Sequence, residues 1–426
     1  MKKFLILLGI LFLCINSVSA YSRIKTIDIP SPDFNTNLLN NGNLLSDGRI
    51  LFGVHAIFDP RNNSWSKTKY FDDFEQAMYI VPLDNGEFLL LKSINFDPMS
   101  DMYFVVKKSI RNKRNESEKN YYKYQKLAQD IENSSIYKDK PYEGDKQKIF
   151  EQVFLPYIMS DDNLSKLYTD YIKKYENYKY GLIYNPKTDT IRKTSQRNIY
   201  EKLTRAVLMK NGEVLICYSD PYNIKISYEK YNPKTNKFKV VNNPNNYRLY
   251  SPMSLADGRV MFKNNVGNNF SFVFYNPIDD SFEEKIFNNS LMYPPIDIFE
   301  FQNGKIGALI VKRNNIKQEY LYTYNPQNNS FSEIGKLLIK RVDGKHLTLP
   351  NDNLLIYGGY DNNSGGFFAG SDLPAKAEII NLKNGKSSFI NGDFNKYNLI
   401  MLNSNTAFAY NNAIKSYKYF IFEWFF

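Results

Sequence analysis

Cysteine is almost absent from this 426-residue chain, which holds only Cys14 and Cys217. Cys14 falls in an apolar N-terminal stretch that reads as cleavable, so one thiol remains afterwards and an intramolecular disulfide is excluded. Histidine is as scarce, with His55 and His346 alone, and each reads as an ordinary loop or strand residue. No His, Cys and carboxylate grouping has the spacing of a zinc site, so neither a metal nor another cofactor is expected. No nucleophile elbow, phosphate loop or Ser-His-Asp arrangement is present. Beyond residue 20 no apolar run reaches the ~20 residues that span a bilayer, so no integral membrane span is expected. Long basic blocks are missing too. The 55 Lys and Arg against 44 Asp and Glu, a net charge of +11, are scattered among asparagines. That excess can favour anionic envelope polymers or membrane surfaces, but nucleic acid is not an expected partner.

Residues 1–20 carry the marks of a secretory signal. Lys2 and Lys3 begin it, Phe4 to Ile15 are apolar, and Val18-Ser19-Ala20 supplies small residues before a cut. Cleavage after Ala20 is expected, with export to the periplasm or outside the cell. A lipoprotein reading would use Cys14, with bulky Leu13 before it where lipoprotein signals carry a small residue. What is plentiful is aromatic: 34 Tyr and 31 Phe are the material for a core without disulfides.

Two short units recur along the rest of the chain. The first is an apolar residue, a turn usually ending in Gly, then an apolar run: Leu45-Ser46-Asp47-Gly48, Leu83-Asp84-Asn85-Gly86, Met209-Lys210-Asn211-Gly212, Leu255-Ala256-Asp257-Gly258 and Phe301-Gln302-Asn303-Gly304. Degenerate copies begin at Leu349 and Leu402, making seven. Asp-Gly and Asn-Gly accept the positive φ of a two-residue hairpin turn. The turn positions 212, 258, 304, 352 and 405 lie 46, 46, 48 and 53 residues apart, the period of four-stranded propeller blades. The second unit is an aromatic residue, Asn or Asp, then Pro: Phe58-Asp59-Pro60, Tyr184-Asn185-Pro186, Tyr231-Asn232-Pro233, Tyr275-Asn276-Pro277 and Tyr324-Asn325-Pro326. Ile380-Asn381-Leu382 is a weaker sixth. Proline cannot donate to a ladder, so this unit reads as the turn between the third and fourth strands of a blade. Seven first turns and six second turns leave the last blade a strand short. The alternating stretch Arg23 to Ile29 supplies it, as the outer strand of the last blade. The expected fold is all-β: a seven-bladed propeller of four-stranded antiparallel blades over 21–426.

These units resemble Kelch repeats, in the bacterial form shared with galactose-oxidase-like propellers. Blade six carries the resemblance best, in Tyr357-Gly358-Gly359 followed by Ala377-Glu378-Ile379-Ile380-Asn381. The Gly-Gly pair occurs in that blade alone, and WD40-like or other propellers stay open. A galactose-oxidase activity would imply a copper site with two histidines and a Cys–Tyr pair, for which His55, His346 and Cys217 are poor material.

Blade two opens at Asp84-Asn85-Gly86 but closes only at Tyr184-Asn185-Pro186. Helical spacing at Tyr124, Leu127, Ala128 and Ile131, at Ile149, Phe150, Val153 and Phe154, and at Leu164, Leu167, Tyr168, Tyr171, Ile172 and Tyr175 predicts an α-helical insertion over 104–179. Phe96-Asp97-Pro98 also resembles a second turn, which leaves a partial eighth blade as the other reading. The second-to-third-strand loops and the links between blades share one face, and rigid scaffolds display function on such loops. Tyr222, Lys225, Arg313, Tyr360, Asp361, Phe367, Phe368 and Asp372 are the candidate ligand-binding residues there. Aromatic rings beside Asp and Asn suit sugars or peptide chains. The function expected is an exported, non-catalytic binding module, monomeric, recognising a protein or glycan through these loops and the insertion. The alternative is a carbohydrate-active enzyme, such as a sugar mutarotase, with Arg205, Asp297, Arg341 and Lys345 at the axial mouth.

Overall fold

The computed structural model describes residues 23–70, 78–92, 179–199, 202–219, 226–243, 249–287 and 291–423, with breaks at 35, 37–38, 40, 267–268, 302, 350–351 and 362–374. Ser165, Lys166 and Thr169 are also described, in helical conformation.

Seven four-stranded antiparallel sheets form a ring. Blade one consists of Gly42–Leu44, Ile50–Phe52, Ala56–Asp59 and Ser64–Lys67; blade two of Met78–Pro82, Phe88–Lys92, Tyr180–Asn185 and Thr190–Gln196. Lys202–Leu208, Val214–Ser219, Ile226–Asn232 and Lys237–Val241 build blade three. Leu249–Ser254, Val260–Val266, Asn269–Asn276 and Ser281–Ile286 build blade four. Blade five has Asp297–Glu300, Ile306–Lys312, Asn315–Asn325 and Ser330–Lys336; blade six has Lys345–Leu349, Asn353–Tyr357, Glu378–Asn381 and Ser387–Phe389. Asn398–Met401, Thr406–Asn411 and Ser416–Glu423 make three strands of blade seven, and Arg23–Ile29 is its fourth, paired from Arg23↔Glu423 to Ile29↔Tyr417. The first strand of each blade is innermost. Both chain ends are thereby tied into one sheet, and no blade is left with an unpaired interface.

Seven apolar clusters fill the seven blade junctions, because alternate residues of each buried strand face opposite neighbours. Phe52, Phe58, Phe408, Tyr410 and Tyr417 close the ring between blades seven and one. Leu255, Phe272, Phe274 and Tyr324 join blades four and five. Fully burying a ring of this size removes about 150–250 Å² from water. Cys217 is buried in the blade three–four cluster, and burial pushes its thiol up to about 12.

The repeat units have local causes. In the first turn the N–H of Gly48 donates to Leu45 O at 3.0 Å and the N–H of Leu45 to Arg49 O at 2.7 Å. Only the glycine is left-handed, with φ from 75° to 93° across Gly48, Gly86, Gly212, Gly258 and Gly304. This is a three-residue loop with a glycine bulge, a correction to the two-residue turn expected. The Asp or Asn before the glycine stays right-handed, and its side chain accepts the N–H two residues on, as Asp47 does from Arg49 at 3.1 Å and Asn211 from Glu213 at 3.0 Å. In the second turn the Asn after the aromatic residue accepts the N–H two positions on, as Asn232 does from Lys234 at 2.9 Å. The tyrosine itself reaches five residues ahead: Tyr184 to Asp189, Tyr231 to Asn236, Tyr275 to Asp280 and Tyr324 to Asn329, at 2.6–3.0 Å. Each of those acceptors has φ between 50° and 58°. Blade one has Phe58 instead, and Tyr419 of blade seven donates to Asn63 at 2.6 Å.

Phe88 pairs with Tyr184 and Leu90 with Leu182, so residues 93–179 leave and re-enter blade two between its second and third strands. This is the seven-blade arrangement, with Tyr184-Asn185-Pro186 as a third-to-fourth turn. The helical insertion expected over 104–179 is not supported as an element of the fold: apart from Ser165, Lys166, Thr169 and Lys179 it lies outside the described residues. So do the signal at 1–20 and Phe96-Asp97-Pro98. Among the described residues no helix is long and apolar enough to cross a membrane.

Candidate ligand site at the axial mouth

Each inner strand runs from the loop face toward the turn face, so its first residues ring the axis at the loop-face mouth. Register makes this specific. Arg205 pairs with Cys217, Asp297 with Leu309, Lys345 with Tyr357 and Asn398 with Tyr410. Each lies seven residues before the last turn position (212, 304, 352, 405) of its hairpin. The four residues therefore occupy one tier of the ring, on blades three, five, six and seven.

Neighbours in that tier touch across blade junctions. Asp297 Oδ2 lies 3.2 Å from His346 Nδ1, with the two side chains 39% and 30% exposed. The His346 ring stacks on Phe299, centroids 4.0 Å apart and planes at 27°. The imidazole is thus held on one face by a ring and at Nδ1 by a carboxylate. Lys345 Nζ donates to Asn398 Oδ1 at 2.7 Å. Lys263, from the second strand of blade four, donates to Ile296 O at 3.0 Å. Burial pushes the Asp297 carboxyl up, but the His346 hydrogen bond and charge, the Ile298 N–H and Lys263 outweigh it and hold it below its ordinary value. Burial lowers Lys345 and Lys263, Asp297 opposing it at Lys263. Arg205 is exposed, and its Nη1 donates to Thr204 O at 3.3 Å.

Arg341 sits deeper. Its Nη2 donates to Glu378 Oε1 at 2.6 Å and to Lys376 O at 3.0 Å, and its Nη1 to Gly358 O at 3.4 Å. Both groups of the ion pair are buried, the side chains 2% and 0% exposed, and the guanidinium staples the two stems of blade six's long loop. Glu319, also buried, lies beside it, and burial raises its carboxyl to about 7 against the Arg341 N–H and charge. Glu378 and Glu229 stand three residues before Asn381 and Asn232. Each accepts the N–H of the link entering its blade, from Leu338 and Asn198 respectively, at 2.6 and 2.7 Å.

Of the loop residues, Arg313 is exposed at the blade-five hairpin, its guanidinium 4.8 Å from the Tyr293 ring centroid. Tyr360 is exposed, in a short strand pair where Val342 faces it and Arg341 faces Asp361. Tyr222, Lys225, Phe367, Phe368 and Asp372 lie outside the described residues. Among the described residues no group of three metal-ligating side chains occurs. The structure thus brings Asp297 and Lys345 to either side of His346, with Arg205 on the same tier, and sets Arg341 behind them. The sequence reading passed over His346, Lys263 and Phe299. The signal that finds His346 is its place one residue after the tier position in blade six. The opposite, turn face carries an open groove of about 500 Å³ between blades four and five, lined by Asp257, Lys305 and Asn325 among others.

No protein-family model matches the chain, and no curated protein matches it in sequence. Solved structures share its fold at very low identity. A catalytically inactive form of virginiamycin B lyase from Staphylococcus aureus, solved with quinupristin, is 7% identical over 94% of this chain and 99% of that one, with a TM-score of 0.52. A fungal alcohol oxidase of the AA5 family in complex with copper is 7% identical over 95% and 77%, with a TM-score of 0.50. An oligogalacturonate lyase in complex with manganese is 9% identical over 57% and 71%, with a TM-score of 0.44. At these identities the likeness is one of fold.

Proposed function

We propose that this propeller is an exported ligand-binding module, of divergent Kelch type, that takes a protein or glycan chain at the loop-face axial mouth. The observation that carries the reading is the Asp297–His346 contact, an ionisable pair left accessible where the tier of Arg205, Lys345 and Asn398 surrounds the axis. These groups offer charged and neutral donors beside one carboxylate, a set suited to hydroxyl-rich or anionic chains. Further recognition elements are proposed in the chain between Lys92 and Tyr180 and between Asp361 and Ala375, whose described ends lie at the second-to-third-strand connections of blades two and six. Export rests on residues 1–20, and the Kelch assignment on Tyr357-Gly358-Gly359, Ala377-Glu378 and the shared register of Glu229 and Glu378.

A glycan and peptide array probed with the mature chain, then with Arg205→Ala, Lys345→Ala and His346→Ala, tests this. Losing a hydrogen bond to a charged group costs about 1.5–3 kcal/mol, so each substitution is expected to weaken the array ligand about 10- to 100-fold. Undiminished binding by all three variants would refute the mouth as the site.

One observation favours a second reading, an enzyme at the same place. A carboxylate on Nδ1 orients an imidazole and supports it as a general base at Nε2. The lyase neighbour, whose histidine-to-alanine form is described as catalytically inactive, makes this worth testing here. On an array ligand, Asp297→Asn would then lower turnover more than binding, and an unchanged ligand after incubation with wild type would retire the enzyme reading.

A further inference from the structure

Blade five carries the longest strand among the described residues. Its third strand, Asn315–Asn325, has eleven residues, and the chain before and after the blade extends the sheet alongside it. Tyr293 N–H donates to Val311 O at 2.9 Å and Arg313 N–H to Leu291 O at 2.8 Å. Leu337 N–H donates to Glu319 O at 2.9 Å, and Lys340 Nζ to Ile316 O at 2.9 Å. The link 291–296, the hairpin 312–320 and the link 337–342 thus form adjacent rungs of one sheet edge, the blade-five crest.

That crest is amphiphilic and predominantly basic. Leu291, Tyr293, Ile296, Ile316 and Leu338 are all exposed large apolar side chains, Leu291 the most at 69%. Lys312, Arg313, Lys317 and Lys340 are interspersed with them. Within the three segments the only carboxylate is Glu319, and it is buried. Arg313 lies over the Tyr293 ring and Lys312 over the Tyr320 ring at 4.1 Å, so the cations are held at the level of the aromatic rings. Lys312 also meets Glu333 at 2.7 Å. Singly exposed apolar residues need no explanation, but a contiguous group marks an interaction surface.

We infer that the blade-five crest docks the protein on an anionic lipid surface, with Leu291 and Ile316 entering the headgroup boundary. Aliphatic tips with tyrosine at the interface and basic side chains around them are the chemistry of interfacial anchoring. Five exposed large apolar side chains among the basic ones favour a lipid surface over an acidic protein, which would engage the cations and leave those apolar groups in water. The inference is independent of the axial mouth.

Co-sedimentation of the full mature chain with phosphatidylcholine vesicles, with and without phosphatidylglycerol, tests it. The wild type is expected to bind the anionic vesicles, weakening as salt rises. Each basic side chain near such a surface is worth about fivefold, so Arg313→Gln with Lys317→Gln is expected to lose about thirtyfold. Leu291→Ser with Ile316→Ser is expected to reduce binding comparably while the melting temperature stays at the wild-type value. The inference is overturned if anionic vesicles are not bound, or if binding survives both double variants. It is equally overturned if soluble polyglutamate competes fully and the Leu291 and Ile316 variant binds as wild type, which would mark a general polyanion or acidic-protein surface.

Discussion

Replacing Glu319 by glutamine perturbs the buried charge cluster at the blade five–six junction without changing its shape. Glu319 is 1% exposed, and its Oε2 has no hydrogen-bond partner among the described residues. Burial raises the carboxyl from 4.5 to about 7; Arg341 and Lys340 oppose that shift and Glu378 adds to it. The folded chain therefore holds this proton more tightly than the unfolded chain does. Between about pH 4.5 and about pH 7 the folded state binds more protons, so stability falls as pH rises through that window. At about 1.4 kcal/mol per unit the full effect is roughly 3 kcal/mol. Glutamine does not titrate, so urea unfolding should show variant and wild type nearly equal at about pH 4.5. By about pH 8 the variant should be more stable by up to roughly 3 kcal/mol. The Glu229 carboxyl is present in both proteins and cancels in the difference, while the repulsion between Glu319 and Glu378 is relieved in the variant, in the same direction. A variant less stable than wild type at the upper pH, or a difference that does not change with pH, would refute the reasoning.

Other outcomes follow from the same structure. Arg341→Met should cost about 3–5 kcal/mol in unfolding free energy, since it strands Glu378 and frees the carbonyls of Gly358 and Lys376; a loss under 1 kcal/mol would speak against a buried staple. Gly258→Ala meets no atom within 4 Å but must adopt φ near 93°, so a loss of about 1–2 kcal/mol by thermal melting would isolate backbone strain. Tyr275→Phe removes the donor to Asp280, the residue that Lys230 and Lys239 also hold, and should cost about 1.5–3 kcal/mol. Deleting residues 22–30 should abolish cooperative unfolding, because the strand paired with Tyr417 to Glu423 is lost; a cooperative, fully stable monomer would contradict closure by that strand.

The blade count was legible because hairpin turns have chemical requirements that survive divergence. A left-handed position selects glycine, and a strand end before a tight turn selects Asn-Pro. The closing strand could be read from counting, since seven first turns and six second turns leave one strand missing. The turn geometry was read one residue too short, because Asp-Gly suits both loop lengths and only the hydrogen bonds separate them. The second-to-third-strand turn of blade seven uses the same Asn geometry, at Asn411 with Lys415 left-handed, but lacks proline and was passed over. The link between Tyr275 and Asp280 spans five residues and resembles no single motif until several blades are superposed. The candidate site was half legible. Asp297, Lys345 and Arg205 could be picked out as charges at strand starts, yet their common tier appears only when each is counted back from its turn. His346 carried no signal of its own, because its partner Asp297 belongs to another blade. Arg341 looked like a mouth residue by position, and only packing reveals its carboxylate partner.

With just two histidines in the chain, the axial mouth can be watched directly. His55 is buried between the second and third strands of blade one, and His346 is partly exposed beside Asp297. In a histidine-labelled sample, ring signals followed during titration with a ligand from the array should shift saturably for His346 and stay fixed for His55. A ligand shown by calorimetry to bind, with the His346 signals unmoved at saturation, would contradict the axial-mouth account.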